Sequence, residues 1–178
     1  MREPTEVVVR RAVPEDAAAC RAVYAPYVED TAISFETEPP TVAQMRARIE
    51  AGLATHDWQV LEVDGVLRGY AYGGPFRTRS AYRFACEVSV YLEPGLRRTG
   101  GGRRLYDALF PHLVERGFLT ALAGMTWPNE ASEGLRRAVG FETVGTYRRV
   151  GWKLGAWHDV LWLQRELAPA RGEPREPR

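Results

Sequence analysis

The stretch VSVYLEPGLRRTGGGRRLYDAL, residues 88–109, carries the strongest structural signal in the chain. It begins as an alternating apolar strand, passes through a turn rich in glycine and arginine, and continues as an amphipathic helix. Leucines recur every four residues in that helix, at Leu105, Leu109 and Leu113. Three glycines stand where the helix begins, Gly100, Gly101 and Gly102. Because backbone N–H groups at such a helix start can approach an anion closely, the segment predicts a phosphate or pyrophosphate site.

The type of phosphate site is narrowed by two patterns that the chain lacks. The glycines are not followed by Lys and then Ser or Thr, as a Walker loop requires. Leu105 and Tyr106 stand where a Rossmann fingerprint needs small residues. The pattern present is R-x-x-G-x-G, residues 97–102. Two alternatives stay open: a glycine-rich turn with solvated arginines, and nucleic-acid binding through the arginines of residues 97–104.

Length and composition indicate one globular domain. The chain has 178 residues, of which 45% are hydrophobic and 26% charged. The net charge of +1 argues against a nucleic-acid or membrane partner. No apolar stretch is long enough for a transmembrane helix or a signal core, which favours a cytoplasmic location. Cys20 and Cys86 are expected to be free thiols, and no residue pattern predicts a metal.

Periodicity and turn residues predict intermixed strands and helices. The strands are expected at residues 7–13, 58–63, 67–72, 84–92, 142–150 and 157–165, with a further apolar run at 119–125. The helices are expected at residues 17–24, 42–51, 100–116 and 131–139. Pro26 and Gly52 are expected to end the first two helices, and Gly73-Gly74-Pro75 to break strand 67–72. The fold class is α/β (α+β), with one domain over residues 1–167 and a flexible Pro/Arg/Glu-rich tail at 168–178.

The R-x-x-G-x-G motif resembles the acyl-CoA pyrophosphate loop of the GNAT N-acetyltransferase superfamily, in which a strand precedes the loop. From about residue 8 to 167 the chain is similar to the phosphinothricin N-acetyltransferase family. The matching stretches are ISFETEP at 33–39, GPFRTRSAY at 74–82, EVSVYL at 87–92, WPN at 127–129 and GAWHDV at 155–160. The resemblance implies a GNAT-type fold, a mixed central sheet flanked by helices, and transfer of acetyl from acetyl-CoA to an amine.

Strand 84–92 carries a candidate catalytic carboxylate. Its apolar alternation turns Cys86 and Val88 to the core and Glu87 to the opposite face. Small neighbours, Ala85 and Ser89, leave space in front of Glu87 for a ligand. An amine must lose a proton before it attacks a thioester, and a nearby carboxylate can accept that proton. Glu87 is therefore the predicted general base, as the resemblance also implies; the alternative is a solvated glutamate.

The resemblance also implies which residues hold acetyl-CoA as co-substrate. The backbone of Val90, Tyr91 and Leu92 is expected along the pantetheine arm, where splayed strands free a backbone N–H for the thioester carbonyl. The pyrophosphate is expected at the loop and helix start, at Arg97, Arg98, Thr99, Gly100, Gly101, Gly102 and Arg103. Asn129 is expected to contact the CoA arm, or else to cap the following helix.

One position departs from the pattern of the family. Many relatives have His or Tyr shortly before the second Gly-Phe or Gly-Tyr, where this chain has Arg136. Arginine stays charged and is a poor general acid. Arg136 is expected either to stabilise a thiolate or to face solvent. The general acid is left unassigned, with Tyr91 and bound water as candidates.

The acceptor side is expected around Phe76-Arg77-Thr78-Arg79, because paired arginine donors bind carboxylates. The alternative is two surface arginines. Phe35, together with Tyr27 and Trp157, is expected to form apolar walls. Three histidines are expected to have no catalytic role, His158 being structural and His56 and His112 lying at the surface.

The function predicted from these residues is acetylation of the α-amino group of a small amino-acid-like acceptor. The resemblance implies acceptors of the phosphinothricin, methionine sulfoximine or methionine sulfone type, and a homodimer. An alternative GNAT acceptor is a polyamine, an aminoglycoside or a protein N-terminus, although Arg77 and Arg79 disfavour cations. A second alternative is a non-catalytic acyl-CoA-binding module.

Overall fold

The computed structural model describes residues 6–96 and 99–178, so Arg97 and Arg98 lie outside the described residues. The strands are β1 (Val7–Arg11), β2 (Trp58–Val63), β3 (Val66–Pro75), β4 (Ala85–Leu92), β5 (Thr120–Trp127), β6 (Glu142–Lys153) and β7 (Ala156–Glu166). The helices are α1 (Ala17–Glu29), α2 (Val42–Thr55), α3 (Gly101–Arg116) and α4 (Glu130–Ala138). The strands form one sheet in the order β1-β2-β3-β4-β5-β7-β6, which confirms the predicted mixed sheet flanked by helices.

Each face of the sheet has its own hydrophobic core, because successive side chains of a strand point to opposite faces. On one face Cys86 and Val88 pack with the leucines of α3. On the other face Tyr70 packs with the residues of α1 and α2, and Tyr91 lies against this second core. The alternation predicted for residues 84–92 is therefore confirmed, but the face that carries Glu87 is covered by helices along part of its length.

Three predicted element ends were wrong, at Pro26, Gly52 and Gly73-Gly74-Pro75. α1 continues past Pro26 to Glu29, and the carbonyl of Pro26 accepts the N–H of Asp30 at 3.0 Å. β3 continues through Gly73-Gly74-Pro75 because these residues pair with residues 86–88 of β4. α2 continues past Gly52, where a Cβ would lie 3.1 Å from the Trp58 ring, so glycine there allows close packing rather than a helix end.

The sheet divides in its middle, between β4 and β5. These two strands are the parallel pair, and they pair only over Ala85–Glu87 and Thr120–Leu122. Beyond that point β4 stays with β3 up to Leu92, whereas β5 stays with β7 up to Trp127. A V-shaped gap therefore opens between residues 88–92 and residues 123–127.

The end of α1 and the loop after it span this gap on one face. The hydroxyl of Tyr27 donates to the Leu92 carbonyl of β4 at 2.5 Å. The hydroxyl of Thr126 in β5 donates to the Ala32 carbonyl at 2.5 Å. The short segment from Tyr27 to Ala32 is thus bonded to both sides of the gap. It covers the gap on this face of the sheet.

The last residues form no helix or strand and lie near the end of α3. Glu176 pairs with Arg83 at 2.6 Å, and the N–H of Arg178 donates to the Arg116 carbonyl at 2.8 Å. The flexibility of residues 168–178 stays a prediction. Cys20 and Cys86 are free and buried. None of the described helices is long and apolar enough to cross a membrane.

Candidate active site

Glu87 is the last residue of β4 that pairs with β5, so its side chain lies where the gap begins. The residue is half-buried, and burial raises the pKa of its carboxyl above the ordinary value. The positive charges of Arg136 and Arg77 act in the opposite direction, because they favour the carboxylate. Glu87 therefore combines a raised basicity with two nearby cations, although its role as general base stays a prediction.

The turn before α3 provides backbone donors at the wide end of the gap. Gly100 precedes the helix with φ +79°, a conformation that favours glycine, and no side chain caps the helix start. The first N–H groups of α3 have no partner within the helix, as at every helix N-terminus. A Cβ at Gly102 would lie 2.6 Å from Leu135, so glycine also brings α3 close to α4. These features fit a pyrophosphate group.

Two further residues of the predicted loop have local partners. The Thr99 hydroxyl donates to the Leu96 carbonyl at 2.8 Å, and Arg103 lies 3.7 Å from Asp107 on the next turn of α3. Both side chains are exposed. Their contact with a pyrophosphate, like that of Arg97 and Arg98, stays a prediction.

The edge of β4 beyond Glu87 is free for an extended ligand, because β5 has separated from it. Backbone groups of alternate residues, such as Val90 and Leu92, face this edge, and the Leu92 carbonyl accepts the Tyr27 hydroxyl; contact of residues 90–92 with a pantetheine arm stays a prediction. The Tyr91 side chain, however, packs 4.8 Å from the ring of Tyr24 and 5.3 Å from that of Tyr27. Its bond to Leu92 thus places Tyr27 at the gap. The sequence had predicted that Tyr27 would form an apolar wall of the acceptor pocket.

Asn129 lies at the N-terminus of α4. Its side-chain oxygen accepts the Ser132 N–H at 3.2 Å, which confirms the helix cap. Contact with a CoA arm is compatible with this position, because α4 begins next to the open end of β5, and it stays a prediction.

Arg136 is buried, with 4% of its surface exposed, so the expectation that it faces solvent was wrong. Its Nη1 donates to Ser132 and lies 3.8 Å from the sulfur of Met125 in β5. Its Nε has no partner among the described atoms. α4 therefore places a largely unpaired positive charge at the gap. This charge partly offsets the rise that burial causes in the pKa of Glu87.

The two arginines of the predicted acceptor side differ in position. The Arg77 guanidinium lies 5.0 Å from the ring of Phe76, and its charge acts on Glu87. Phe76 in turn contacts Trp162 of β7, with ring centroids 5.8 Å apart. Arg79 is exposed beside a short 3-10 turn, where its carbonyl accepts the Tyr82 N–H. Both side chains are exposed, but only the charge of Arg77 acts on the carboxyl of Glu87.

Phe35 lies in the loop after α1 and contacts the backbone of Gly151 in β6. A buried lysine fixes this loop: the ammonium of Lys153 donates to the carbonyls of Val28 and Ser34 at 2.6 and 2.7 Å. His158 bonds the Lys153 carbonyl at 2.9 Å, which agrees with its predicted structural role. The β6–β7 hairpin therefore positions the loop that carries Phe35. Trp157 lies in β7 and is exposed.

The comparisons with known proteins agree with this geometry. Residues 9–162 match the acetyltransferase (GNAT) domain family. The chain belongs to this family. It is 36% identical to a phosphinothricin N-acetyltransferase of Streptomyces viridochromogenes over 177 residues, which is 99% of this chain and 96% of the relative. It is 31% identical to an L-methionine sulfoximine/L-methionine sulfone acetyltransferase of Pseudomonas paraeruginosa over 169 residues, 93% of this chain and 98% of the relative.

Solved structures show the same GNAT fold. A phosphinothricin acetyltransferase from Sinorhizobium meliloti in complex with acetyl-CoA superposes with a TM-score of 0.90 and 32% identity. That superposition covers 96% of this chain and 94% of the other. The protein is an acetyl-CoA-dependent N-acetyltransferase with a GNAT-type fold. The described part of this chain contains no cluster of three or more residues that could hold a metal.

Several residues around the site of this GNAT enzyme could not be identified from sequence patterns. Glu36 lies in the loop after α1. Its carboxylate accepts hydrogen bonds from the Tyr24 hydroxyl and from both Nη atoms of Arg48, at 2.7 to 3.0 Å. These residues are far apart in sequence, so only the folded contacts identify the network. His56, predicted at the surface, is buried at 6% exposure and stacks on Phe118 with centroids 4.5 Å apart. His112 is exposed, as predicted.

Proposed function

We propose that this enzyme acetylates the α-amino group of a small amino-acid-like acceptor of the phosphinothricin, methionine sulfoximine or methionine sulfone type. The observation that carries the proposal is the position of Glu87 at the strand split, where the positive charge of Arg77 also acts on it. A carboxylate can deprotonate the amine while a guanidinium binds the acceptor's carboxylate. The relatives with these acceptors support the choice.

Direct attack by the deprotonated amine is the mechanism that these groups favour. Acetyl-CoA supplies the acetyl group as a thioester. Glu87 accepts the proton of the α-ammonium, directly or through one water, and burial makes it a stronger base than an exposed glutamate. Backbone groups along residues 90–92 orient the donor and provide an N–H for the thioester carbonyl.

Arg136 has a role in this proposal that differs from that of a general acid. Arginine side chains are poor proton donors, so we do not assign Arg136 the reprotonation of the leaving sulfur. A buried cation with an unpaired Nε can instead stabilise negative charge near the gap. We assign to Arg136 the electrostatic stabilisation of the departing thiolate, which then takes up, through water, the second proton that the nitrogen loses as the amide forms.

The acceptor assignment is tested by CoA thiol release in the presence of a set of amines. The set contains phosphinothricin, methionine sulfoximine, methionine sulfone, common amino acids, spermidine, an aminoglycoside and a blank without acceptor. Turnover concentrated on the amino-acid acceptors supports the proposal. Turnover confined to spermidine or the aminoglycoside would replace it with a cationic acceptor, which the charge of Arg77 disfavours.

We further propose that the enzyme works as a homodimer in the cytoplasm. The β6–β7 hairpin exposes large apolar side chains that a second copy can cover: Val144, Tyr147, Val150, Trp152, Leu154 and Trp157. Sedimentation of the wild type and of Trp152→Arg tests the dimer. The proposal requires a dimeric wild type and a variant shifted towards monomer.

A further inference from the structure

The C-terminal tail, residues 168–178, lies against the C-terminus of α3. The N–H of Arg178 donates to the Arg116 carbonyl at 2.8 Å, and Nη1 of Arg116 donates to the Arg178 carbonyl at 3.1 Å. Pro177 packs against Gly117, where a Cβ would lie 3.1 Å from the Cα of Pro177. These contacts fix the backbone at the end of the tail beside the domain.

The carboxylate of Glu176, the residue before Pro177, binds Arg83 with both of its oxygens. Oε2 accepts the Nε proton of Arg83 at 2.8 Å, and Oε1 accepts a proton of Nη2 at 2.6 Å. Paired bonds of this kind fix the orientation of a guanidinium as well as its distance. The remaining nitrogen of Arg83, Nη1, donates to the Ser80 carbonyl at 3.0 Å. One guanidinium therefore joins the tail to the 3-10 turn of Ser80–Tyr82.

This turn belongs to the segment of residues 76–84 that links β3 to β4 and carries Arg77 and Arg79. Within the segment, the ring of Phe76 contacts the ring of Tyr82, with centroids 5.8 Å apart. The Arg79 carbonyl accepts the N–H of Tyr82 at 3.0 Å. A single 3-10 turn has few internal bonds. Its position therefore depends on contacts outside the segment, of which the bond to the tail is one.

We propose that Glu176 is a positioning residue of the acceptor site, which through Arg83 fixes the segment that carries Arg77. The inference rests on the proposed function, in which Arg77 binds the carboxylate of the acceptor. Without the carboxylate of Glu176, the guanidinium of Arg83 keeps one carbonyl partner, and the segment of residues 76–84 becomes less ordered. The acceptor then binds more weakly. Binding of acetyl-CoA is unchanged, because the glycine turn lies at the opposite end of β4.

A double-mutant cycle in the full chain tests the pair, with the amino-acid acceptor of highest kcat/KM. Glu176→Gln should raise the KM of the acceptor about threefold and leave kcat and the KM of acetyl-CoA unchanged, since an exposed ion pair contributes modestly. In an Arg83→Gln background the same change should have no further effect, because its partner is already absent. Glu173→Gln removes an equal charge from another exposed position of the tail and should match the wild type.

Amide hydrogen exchange measures the order of the turn without any turnover. The N–H groups of Tyr82 and Arg83 donate to carbonyls three residues earlier, at 3.0 and 3.1 Å. Such groups exchange when the turn opens. Peptides from residues 76–84 should therefore exchange at least about twofold faster in Glu176→Gln, and not in Glu173→Gln.

Five results would each overturn the inference. These are an unchanged KM of the acceptor in Glu176→Gln, an equal rise in the KM of acetyl-CoA, an additive effect in the double variant, the same effect in Glu173→Gln, or unchanged exchange of residues 76–84. If the wild type acetylates no amino-acid acceptor, the proposed function fails and exchange alone decides. Faster exchange in Glu176→Gln would then support the role of the tail in fixing the segment, and unchanged exchange would overturn it.

Discussion

The residues proposed to bind the acetyl donor, called the donor side, and those proposed to bind the acceptor, called the acceptor side, are built in different ways. The donor side consists of the free edge of β4, the glycine turn and the first turn of α3, which follow one another within residues 88–104. It offers mostly backbone groups. The acceptor side joins side chains from distant parts of the chain: Phe35, Arg77, Glu87 and Lys153. It depends on contacts between segments that are more than a hundred residues apart.

This difference indicates where substitutions are expected to change the selectivity for the acceptor. Backbone donors are unaffected by most side-chain replacements, so the donor side tolerates sequence change as long as its glycines remain. The acceptor side depends on individual side chains, and one replacement there alters binding of the acceptor without altering binding of acetyl-CoA.

Glu87→Gln should produce the largest loss, because it removes the proposed base at the boundary of the two sides. We expect kcat to fall about 10²- to 10³-fold, the range typical for a general base, with acetyl-CoA affinity nearly unchanged. Steady-state kinetics and calorimetric titration of acetyl-CoA measure the two quantities. Glu142→Gln, at an exposed position of β6, is the matched control. A variant with wild-type kcat would exclude Glu87 from the mechanism.

Arg136→Met should reduce kcat about 30-fold, since a buried charge that stabilises a developing anion is lost. That factor corresponds to about 2 kcal/mol of transition-state stabilisation. Arg136→Lys keeps the charge and should recover part of the rate. If the Met and Lys variants lose activity equally and both melt at lower temperature, Arg136 has only a structural role.

Arg77→Ala should raise the KM of the acceptor about tenfold, because the charge of this guanidinium acts on Glu87 and is proposed to bind the carboxylate of the acceptor. Arg79→Ala should raise it by less than about threefold. Neither change should affect the KM of acetyl-CoA, which is determined by the donor side. A larger effect at Arg79 than at Arg77 would show that the 76–79 segment binds the acceptor in a different arrangement.

His56 should affect stability rather than activity. Its pKa is about 4 in the folded protein, against about 6.5 when exposed, so the unfolded chain takes up the extra proton first as the pH falls. The stabilisation by neutral His56 is therefore present above about pH 6.5 and decreases towards pH 4, by up to about 3 kcal/mol.

Urea unfolding of the wild type and of His56→Gln, at about pH 7 and about pH 4.5, measures this contribution. The variant should lose less free energy of unfolding between the two pH values than the wild type. Although burial acts to raise them, the pKa values of the Asp16 and Glu36 carboxyls are held below their ordinary values by bonds to Arg10 and Arg48, and these groups are the same in both proteins. His112→Gln, at an exposed position, should behave like the wild type.

The donor side could be predicted from the sequence because its information is local. The strand, the glycine turn and the leucine repeat of α3 lie next to each other, and their order alone implies a helix start beside a strand end. The bounds of β2 were also local and were confirmed. Boundaries that depend on partners, such as the end of β3 at Pro75, were missed for that reason.

The acceptor side could be predicted only in part. The face of the sheet that carries Glu87 could be predicted from the alternation along one strand. The residues that surround its side chain depend on how other elements pack. The burial of Arg136 depends on α4 lying against β5, and that of His56 depends on Phe118.

Lys153 is the only lysine of the 178 residues, and its ammonium is buried and bonded to two carbonyls. An enzyme that places a reactive thioester beside amines therefore has no exposed lysine side chain of its own to be modified. Every other basic side chain that could carry permanent charge is arginine, which thioesters do not acylate readily. Amine-specific labelling of Lys153 would thus report the opening of the β6–β7 hairpin from the loop it holds.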